Sequence, residues 1–464
     1  MPKLSKHQNK HGDKAKKSNR SKNRVGDSSL ATRLNRELEG DVLFDPFSRG
    51  QYSTDASIYQ IEPIGVVVPQ TDEDVVRTIE IAREEGVPVL PRGGGTSQCG
   101  QTVGEAIIID TSKHLKRIVD FDATTGIVTV QPGIVLDELN QFLRQHRVFF
   151  PIDPSTSSRA TLGGMAANNS CGGRSIKYGL TVNNISAIDA VLADASQHRF
   201  THVPSNLEKF PADPRYMELV RKIRSLGERE EAEIARRFPK LLRRVGGYNI
   251  DTISSEGHNM AHLLVGSEGT LAYFRKLELI TYPIPSHNVL GICHFSSFRD
   301  AMDITQEIVK LDPSAVELID STMIALAREI NAYRPTIERF VNGHPEALLM
   351  VEFSGEDENA QLIKLDELEQ LLDDHGFPNS ILKVADPNFQ REITEVRKAG
   401  LNIMMSMKGD GKPVSFIEDC AVPLNHLGAY TERLTEVFSK HGVQGTWYAH
   451  ASVGCLHVRP VLNM

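Results

Sequence analysis

Apolar residues first recur at helical spacing where Val75, Ile79 and Ala82 share one face of a segment that starts at Thr71-Asp72-Glu73-Asp74 and stops at Gly86. That start resembles a capping box with Asp at its fourth position. The apolar runs Val87 to Leu90, Ala106 to Ile109 and Ile127 to Val130 predict strands, the last two flanking a polar connection. Ile134 to His146 returns to helical spacing and ends before Phe149-Phe150 and the Pro151/Pro154 turn. Upstream, Asp27 to Asp55 reads as a helical arm with Ser28 and Ser29 available as caps.

Residues 152–185 break this alternation. Asp153-Pro154-Ser155-Thr156, Gly163-Gly164, Asn168-Asn169-Ser170, Gly172-Gly173 and Tyr178-Gly179 gather small, polar residues that tolerate left-handed backbone, and they predict a long functional loop with uncovered amides. The apolar strand Ile185 to Leu192 follows it. Residues 205–244 read as a charged helical insertion whose alternating signs mark a solvated face. Leu263-Leu264-Val265 reads as an apolar strand entering the turn Gly266-Ser267-Glu268-Gly269-Thr270.

Beyond Pro283 and Pro285 the texture changes. Strands at Ile292 to Phe295, Ala347 to Phe353 and Ser380 to Val384 alternate with helices at Phe298 to Leu311, Ser321 to Ile330 and Glu358 to His375, the pattern of a separate α+β domain. The boundary is expected between Tyr282 and Ser286, and no solenoid repeat is visible.

Composition narrows the class. With 464 residues, 40% hydrophobic and 24% charged, the chain is of ordinary globular make-up, and at about 150 residues per domain it should form two or three units. No run of about 18 apolar residues suggests a membrane span. Residues 1–27 hold nine Lys or Arg against two acids, a charge of +7 that leaves −15 on the remainder of a chain whose net charge is −8. The tail reads as a disordered basic leader, either solvated or touching RNA, anionic lipid or an acidic partner; the acidic body would not draw nucleic acid by its overall field. Cys99, Cys171, Cys293, Cys420 and Cys455 are odd in number and form no C-x-x-C pair, so neither a disulfide framework nor an iron–sulfur cluster is expected within the chain. A reducing, cytoplasmic compartment fits that usage.

The candidate chemistry starts at Pro91-Arg92-Gly93-Gly94-Gly95-Thr96-Ser97. Three glycines after a short apolar run can turn successive N–H groups into one concavity and hold an anion; a flexible surface turn is the other reading of such a loop taken alone. Its companions are Asp153-Pro154-Ser155, Ala160-Thr161-Leu162-Gly163-Gly164, Asn168-Asn169, Lys177-Tyr178-Gly179 and Gly266-Ser267-Glu268-Gly269-Thr270. In that order the motifs resemble flavin oxidoreductases of the vanillyl-alcohol oxidase or PCMH type, in the D-2-hydroxyacid dehydrogenase branch. The nearest likeness is to the N-terminal part of its large iron–sulfur-fused subfamily.

The resemblance implies an α+β fold: a two-subdomain PCMH-type FAD-binding domain over 28–283, with its core at about 60–283, then an incomplete α+β substrate cap over 284–464. Pro91 to Ser97 with Pro154 and Ser155 would wrap the FAD pyrophosphate. Thr161, Gly163, Gly164, Asn168, Gly172, Tyr178, Gly179, Gly266, Glu268 and Gly269 would lie along the rest of the cofactor. Covalently flavinylated members often carry His where this chain has Thr96, so FAD is expected to be non-covalent.

In the cap, Glu395-Val396-Arg397-Lys398-Ala399-Gly400 matches the segment that offers an arginine to a substrate carboxylate, with Lys412 as a second cation. Taken alone, Arg397 would be a surface salt bridge. His450-Ala-Ser-Val-Gly-Cys-Leu-His457 looks like a degenerate form of the family's H-x-G-D-G-N-x-H metal pair, suited to zinc or another divalent ion; two structural histidines are the alternative. Seven residues apart, the pair converges only with a turn at Gly454.

The resemblance therefore implies FAD-dependent oxidation of a small D-2-hydroxy acid, with Arg397, Lys412, His450 and His457 at the reacting end and an unknown electron acceptor. Family members continue past the second histidine to a Glu-His-Gly segment with a third metal ligand and a proton-accepting His, whereas this sequence stops at Met464. Either a flavin-binding portion that needs a second polypeptide or a short flavoprotein of altered chemistry would follow. An alkyl-glycerone-phosphate synthase-like transferase shares the flavin domain, but the Arg397/Lys412 and His450/His457 set speaks against it.

Overall fold

The computed structural model describes residues 24–463, so the basic leader expected at 1–27 falls almost wholly outside the described residues. Its first sheet is built on parallel pairing of Gly65–Val68 and Val89–Arg92 with Ile107–Asp110, and Asp41–Leu43 adds an antiparallel edge. Val66 to Val68 and Ile107 to Ile109 are fully buried, which explains why these strands read as unbroken apolar runs. The helix Asp72–Glu85 carries the expected box between Thr71 and Asp74 and ends at Gly86 with φ 65°. Because Val87 N–H closes back on the Ala82 carbonyl, the next strand starts two residues later than its apolar run.

A five-stranded antiparallel sheet follows, in the order Ile118–Asp122, Ile127–Val130, Ala272–Ile280, Ile185–Leu192, Gln197–Phe200. Leu139, Leu143, Met165, Ala166, Tyr216 and Val220 pack from three helices onto it.

The third sheet is antiparallel and runs Ile381–Val384, His287–Phe295, Ala347–Gly355, Ala315–Asp320, Gly445–His450, Cys455–Asn463, Gly411–Pro413, with Glu418–Ala421 also paired to Cys455–Asn463. Strand alternation splits its side chains between two cores. Val289, Cys293, Leu349 and Val351 meet the helices Phe298–Ile308, Glu358–Asp374 and Leu427–Lys440. Leu290, Ile292, Leu348 and Met350 meet Ser321–Glu329, Arg334–Phe340, Pro387–Lys398 and Gly400–Met405.

Several local expectations are corrected. Asp27, not Ser28 or Ser29, caps the first helix, Ser28–Glu37, and the arm to residue 55 also holds a strand and the short helix Pro46–Tyr52. The polar connection after residue 110 contains the edge strand Ile118–Asp122, which one exposed face had disguised. Residues 152–185 are not one loop: Thr161 caps Leu162–Asn168, and Ser175–Tyr178 adds a helical turn. Leu263 and Leu264 close the short helix Ala261–Leu264 instead of a strand; so few apolar residues show no period that could tell the two apart. The insertion is one long helix, Pro214–Arg237, capped by Asp213. Among the described residues no helix is long and apolar enough to cross a membrane.

Candidate active site

Between the glycine-rich segments and the third sheet lies a cleft of about 450 Å³, within the size range of ligand sites. One wall is made of backbone. Pro91 and Arg92 leave the parallel sheet, and the Arg92 guanidinium turns back to the carbonyls of Tyr52, Thr54 and Thr102 at 3.1, 2.7 and 3.3 Å, bracing the loop. Glycine is required where the loop meets its companion: a Cβ at Gly93 would sit 2.1 Å from Thr161 Oγ1, and one at Gly94 would sit 2.4 Å from the Arg159 carbonyl. Glu268 accepts from Gln101 at 2.9 Å and Asn168 at 3.3 Å, tying three glycine-bearing segments together. This cradle, which side chains at Gly93 and Gly94 would force apart from its companion segment, fits an extended phosphate-bearing cofactor.

The opposite wall is charged. Tyr448 and His450 leave the strand Gly445–His450, the chain turns through Gly454 at φ 67°, and His457 returns beside them, so the two imidazole centroids lie 5.0 Å apart. Cross-strand register supplies the partners, pairing Glu317 with His450, Asp419 with His457 and Tyr448 with His457. Glu317 accepts from His450 Nδ1 at 2.8 Å and from Arg397 at 2.5 Å. Asp419 lies 2.7 Å from His457 Nδ1 and also meets Arg243 at 2.8 Å. Arg459, 2% exposed, binds Glu418 at 2.6 Å, Gln98 at 2.8 Å and the Tyr448 hydroxyl at 2.9 Å. The guanidinium carbons of Arg397 and Arg459 stand 5.4 and 5.5 Å from the Tyr448 ring centre.

These pairings set the protonation states. Burial alone would raise the Glu317 carboxyl, but His450 and Arg397 outweigh it and hold it at about 2. Burial pushes the His450 ring down to about 4 against the pull of Glu317, so it is neutral and donates Nδ1–H to an ionised carboxylate. Burial would likewise lower His457, yet Asp419 prevails and raises it.

Most of the expected residues meet here. Pro91 to Ser97, Pro154, Ser155, Thr161, Gly163, Gly164, Asn168, Glu268, Gly269, Arg397, His450 and His457 line the cleft. Four expected cofactor residues do not. Gly172 packs on Asp153, Gly179 and Gly266 serve turns at φ 73° and 83°, and Tyr178 stacks edge-on with Phe149 and Tyr282 beside a separate pocket. Lys412 also stays out: its ammonium is bound to the Met407 carbonyl. Sequence reasoning passed over Glu317, Glu418, Asp419, Tyr448 and Arg243. Only Tyr448 carried a local signal, since two residues before His450 on a strand means the same face.

The histidine pair fits a metal in one respect. Glu317 orients the His450 ring through a hydrogen bond at Nδ1, the usual outer-shell arrangement around a metal-bound imidazole, and leaves Nε2 as the second donor atom, whereas His457 Nδ1 lies 2.7 Å from Asp419 without a hydrogen bond. Asp419, Cys455 and His457 also place ligand atoms within 4.8 Å of one another, although the Arg243 cation on Asp419 opposes a second positive charge there.

Residues 63–201 match the family described as FAD binding domain, and residues 284–464 match FAD linked oxidases, C-terminal domain. The chain is 31% identical over 448 residues to D-2-hydroxyglutarate dehydrogenase of Haemophilus influenzae, covering 92% of this chain and 43% of that protein. The Escherichia coli protein of that name is 31% identical over 449 residues at the same coverage. D-lactate dehydrogenase of Archaeoglobus fulgidus is 27% identical over 400 residues, 86% of this chain and 75% of that one. Less than half the length of the two D-2-hydroxyglutarate dehydrogenases is thus represented here. In fold the chain resembles alkyldihydroxyacetonephosphate synthase, with a TM-score of 0.66 at 16% identity over 94% of this chain and 81% of that structure.

Proposed function

The chain belongs to the FAD-linked oxidases, with a FAD binding domain ahead of a FAD-linked-oxidase C-terminal domain, and from that premise we propose that it binds FAD non-covalently and oxidises a D-2-hydroxy acid to the 2-oxo acid. The observation that carries this reading is that a glycine-lined backbone wall and a wall of buried arginines and histidines face each other across one cleft. Bound FAD would supply the redox chemistry by taking a hydride at N5.

In this reading the amides of Gly93 to Ser97 and the Pro154/Ser155 turn hold the pyrophosphate. Arg397 meets the substrate carboxylate, and its planar fork suits that shape. His450, kept neutral by burial, offers Nε2 to the hydroxyl proton. Where a borderline divalent ion binds, the Nε2 atoms of His450 and His457 would hold it instead, and its charge, in place of His450 as base, would lower the pKa of the substrate hydroxyl. We further propose a division between the two units near residues 282–286 and place the protein in a reducing compartment.

Purified protein supplied with FAD should retain a flavin absorption band, and anaerobic D-lactate, glycolate or D-2-hydroxyglutarate should bleach it. No band would overturn the flavin assignment. A stable band that none of the three bleaches would favour a second reading, a flavin-binding subunit that turns over only with another polypeptide. The 43% coverage of its D-2-hydroxyglutarate dehydrogenase relatives is what keeps that reading open.

A further inference from the structure

Among the described residues, Glu317 is the one carboxylate that touches both Arg397 and His450. It stands on the strand Ala315–Asp320, its side chain 14% exposed, with Oε2 2.5 Å from the Arg397 guanidinium and Oε1 2.8 Å from His450 Nδ1. Arg397 is itself 11% exposed at the side chain, and its Nε has no hydrogen-bond partner. A guanidinium facing a ligand cleft thus already holds a carboxylate from its own chain, while a further donor of the same group goes unused.

The other domain makes room for this contact. A Cβ at Gly173 would lie 2.6 Å from Glu317 Oε1, so the carboxylate reaches its position only because the flavin-side segment carries no side chain there. The close approach spans the seam that Arg174 and Glu352 fasten at 3.0 and 3.1 Å. Gly173 belongs to the glycine-rich stretch noted in the sequence, yet it does not line the cleft, and the cofactor reading left it without a role.

Resting on the hydroxy-acid reading, we propose that Glu317 is a positioning residue that fixes Arg397 and His450 in one relation and tempers the affinity of Arg397 for an incoming carboxylate. Through its contact with Arg397, Glu317 competes with the substrate carboxylate for the same fork, which holds binding of substrate and product below what a free arginine would give. In exchange, Arg397 and His450 share a single rigid anchor, so the point where the carboxylate lands and the point where the hydroxyl proton leaves keep a constant separation. Orientation of this kind favours turnover over ground-state binding.

The two effects have opposite signs, and a merely structural residue would not produce that pair. In FAD-loaded protein, Glu317→Gln should bind oxalate, a redox-inert planar dicarboxylate, about ten-fold more tightly by calorimetry, because a charge-assisted partner of Arg397 is gone. Its kcat with whichever hydroxy acid bleaches the parent should fall about ten- to hundred-fold, the usual loss when an orienting partner is removed. Gly173→Ala, which pushes Glu317 aside without changing its chemistry, should move both quantities the same way at unchanged flavin content. Oxalate affinity that is unchanged or weaker in Glu317→Gln overturns the proposal. If no hydroxy acid bleaches the parent, the hydroxy-acid reading fails, while tighter oxalate binding would still support the hold of Glu317 on Arg397.

Discussion

The two walls of the cleft are built by different means. The flavin-side wall consists of backbone from segments adjacent in sequence to glycines, and its shape is decided by what is missing: at Gly93 and Gly94 there is no space for even a methyl group. The cap-side wall consists of charged side chains from five separate strands and helices, each paired and, Asp419 apart, each largely buried. A wall of amides presents fixed dipoles at no cost in side-chain ordering. A wall of buried ions must satisfy every charge, since a single unpaired one is expensive. The first is therefore sensitive to volume and the second to charge.

Substitutions should separate these sensitivities. The largest effect is expected for Gly94→Val, whose side chain would run into the Arg159 carbonyl and push the loop off its companion segment: the variant should purify without flavin while keeping a cooperative melt. A variant that retains full flavin occupancy would break the assignment of the loop. Next is Arg459→Met, nearly isosteric in its stem but unable to neutralise Glu418. Removing one partner of a buried pair should cost about 3–5 kcal/mol, read as a marked drop in Tm, with flavin content preserved in the protein that remains folded. A drop in Tm comparable to that of an exposed arginine variant would mean that the charged wall is more hydrated than its 2% exposure at Arg459 implies. The smallest effect is expected for Lys412→Met. Its ammonium meets a carbonyl outside the cleft, so oxalate affinity should stay within about two-fold of the parent, well under one charged hydrogen bond. A ten-fold loss would return Lys412 to the substrate site.

How legible each wall was follows from the same difference. The capping box at Thr71 and Asp74 and the left-handed stop at Gly86 were readable because they depend on residues within one turn. The strand Ile127–Val130 was readable because burial imposes its pattern locally. The apolar stretch at Leu263 and Leu264 was misread because so short a run fits a helical turn as well as a strand. Edge strand Ile118–Asp122 was missed because Asp120 and Asp122 interrupt its apolar residues and most of it is exposed, like a loop.

By itself the sequence determined the glycine segments, the order of their motifs and the condition that His450 and His457 converge only with a turn at Gly454, since each depends on residues that permit close approach or left-handed backbone. It also carried the resemblance to FAD-linked oxidases that the family matches bear out. Which carboxylate faces which cation was decided only by the tertiary structure. Glu317 reaches His450 across 133 positions, and Asp419 reaches Arg243 across 176, through strand register and domain contact. Register is chosen by the packing of whole sheets, so no pattern near any one of these residues records it.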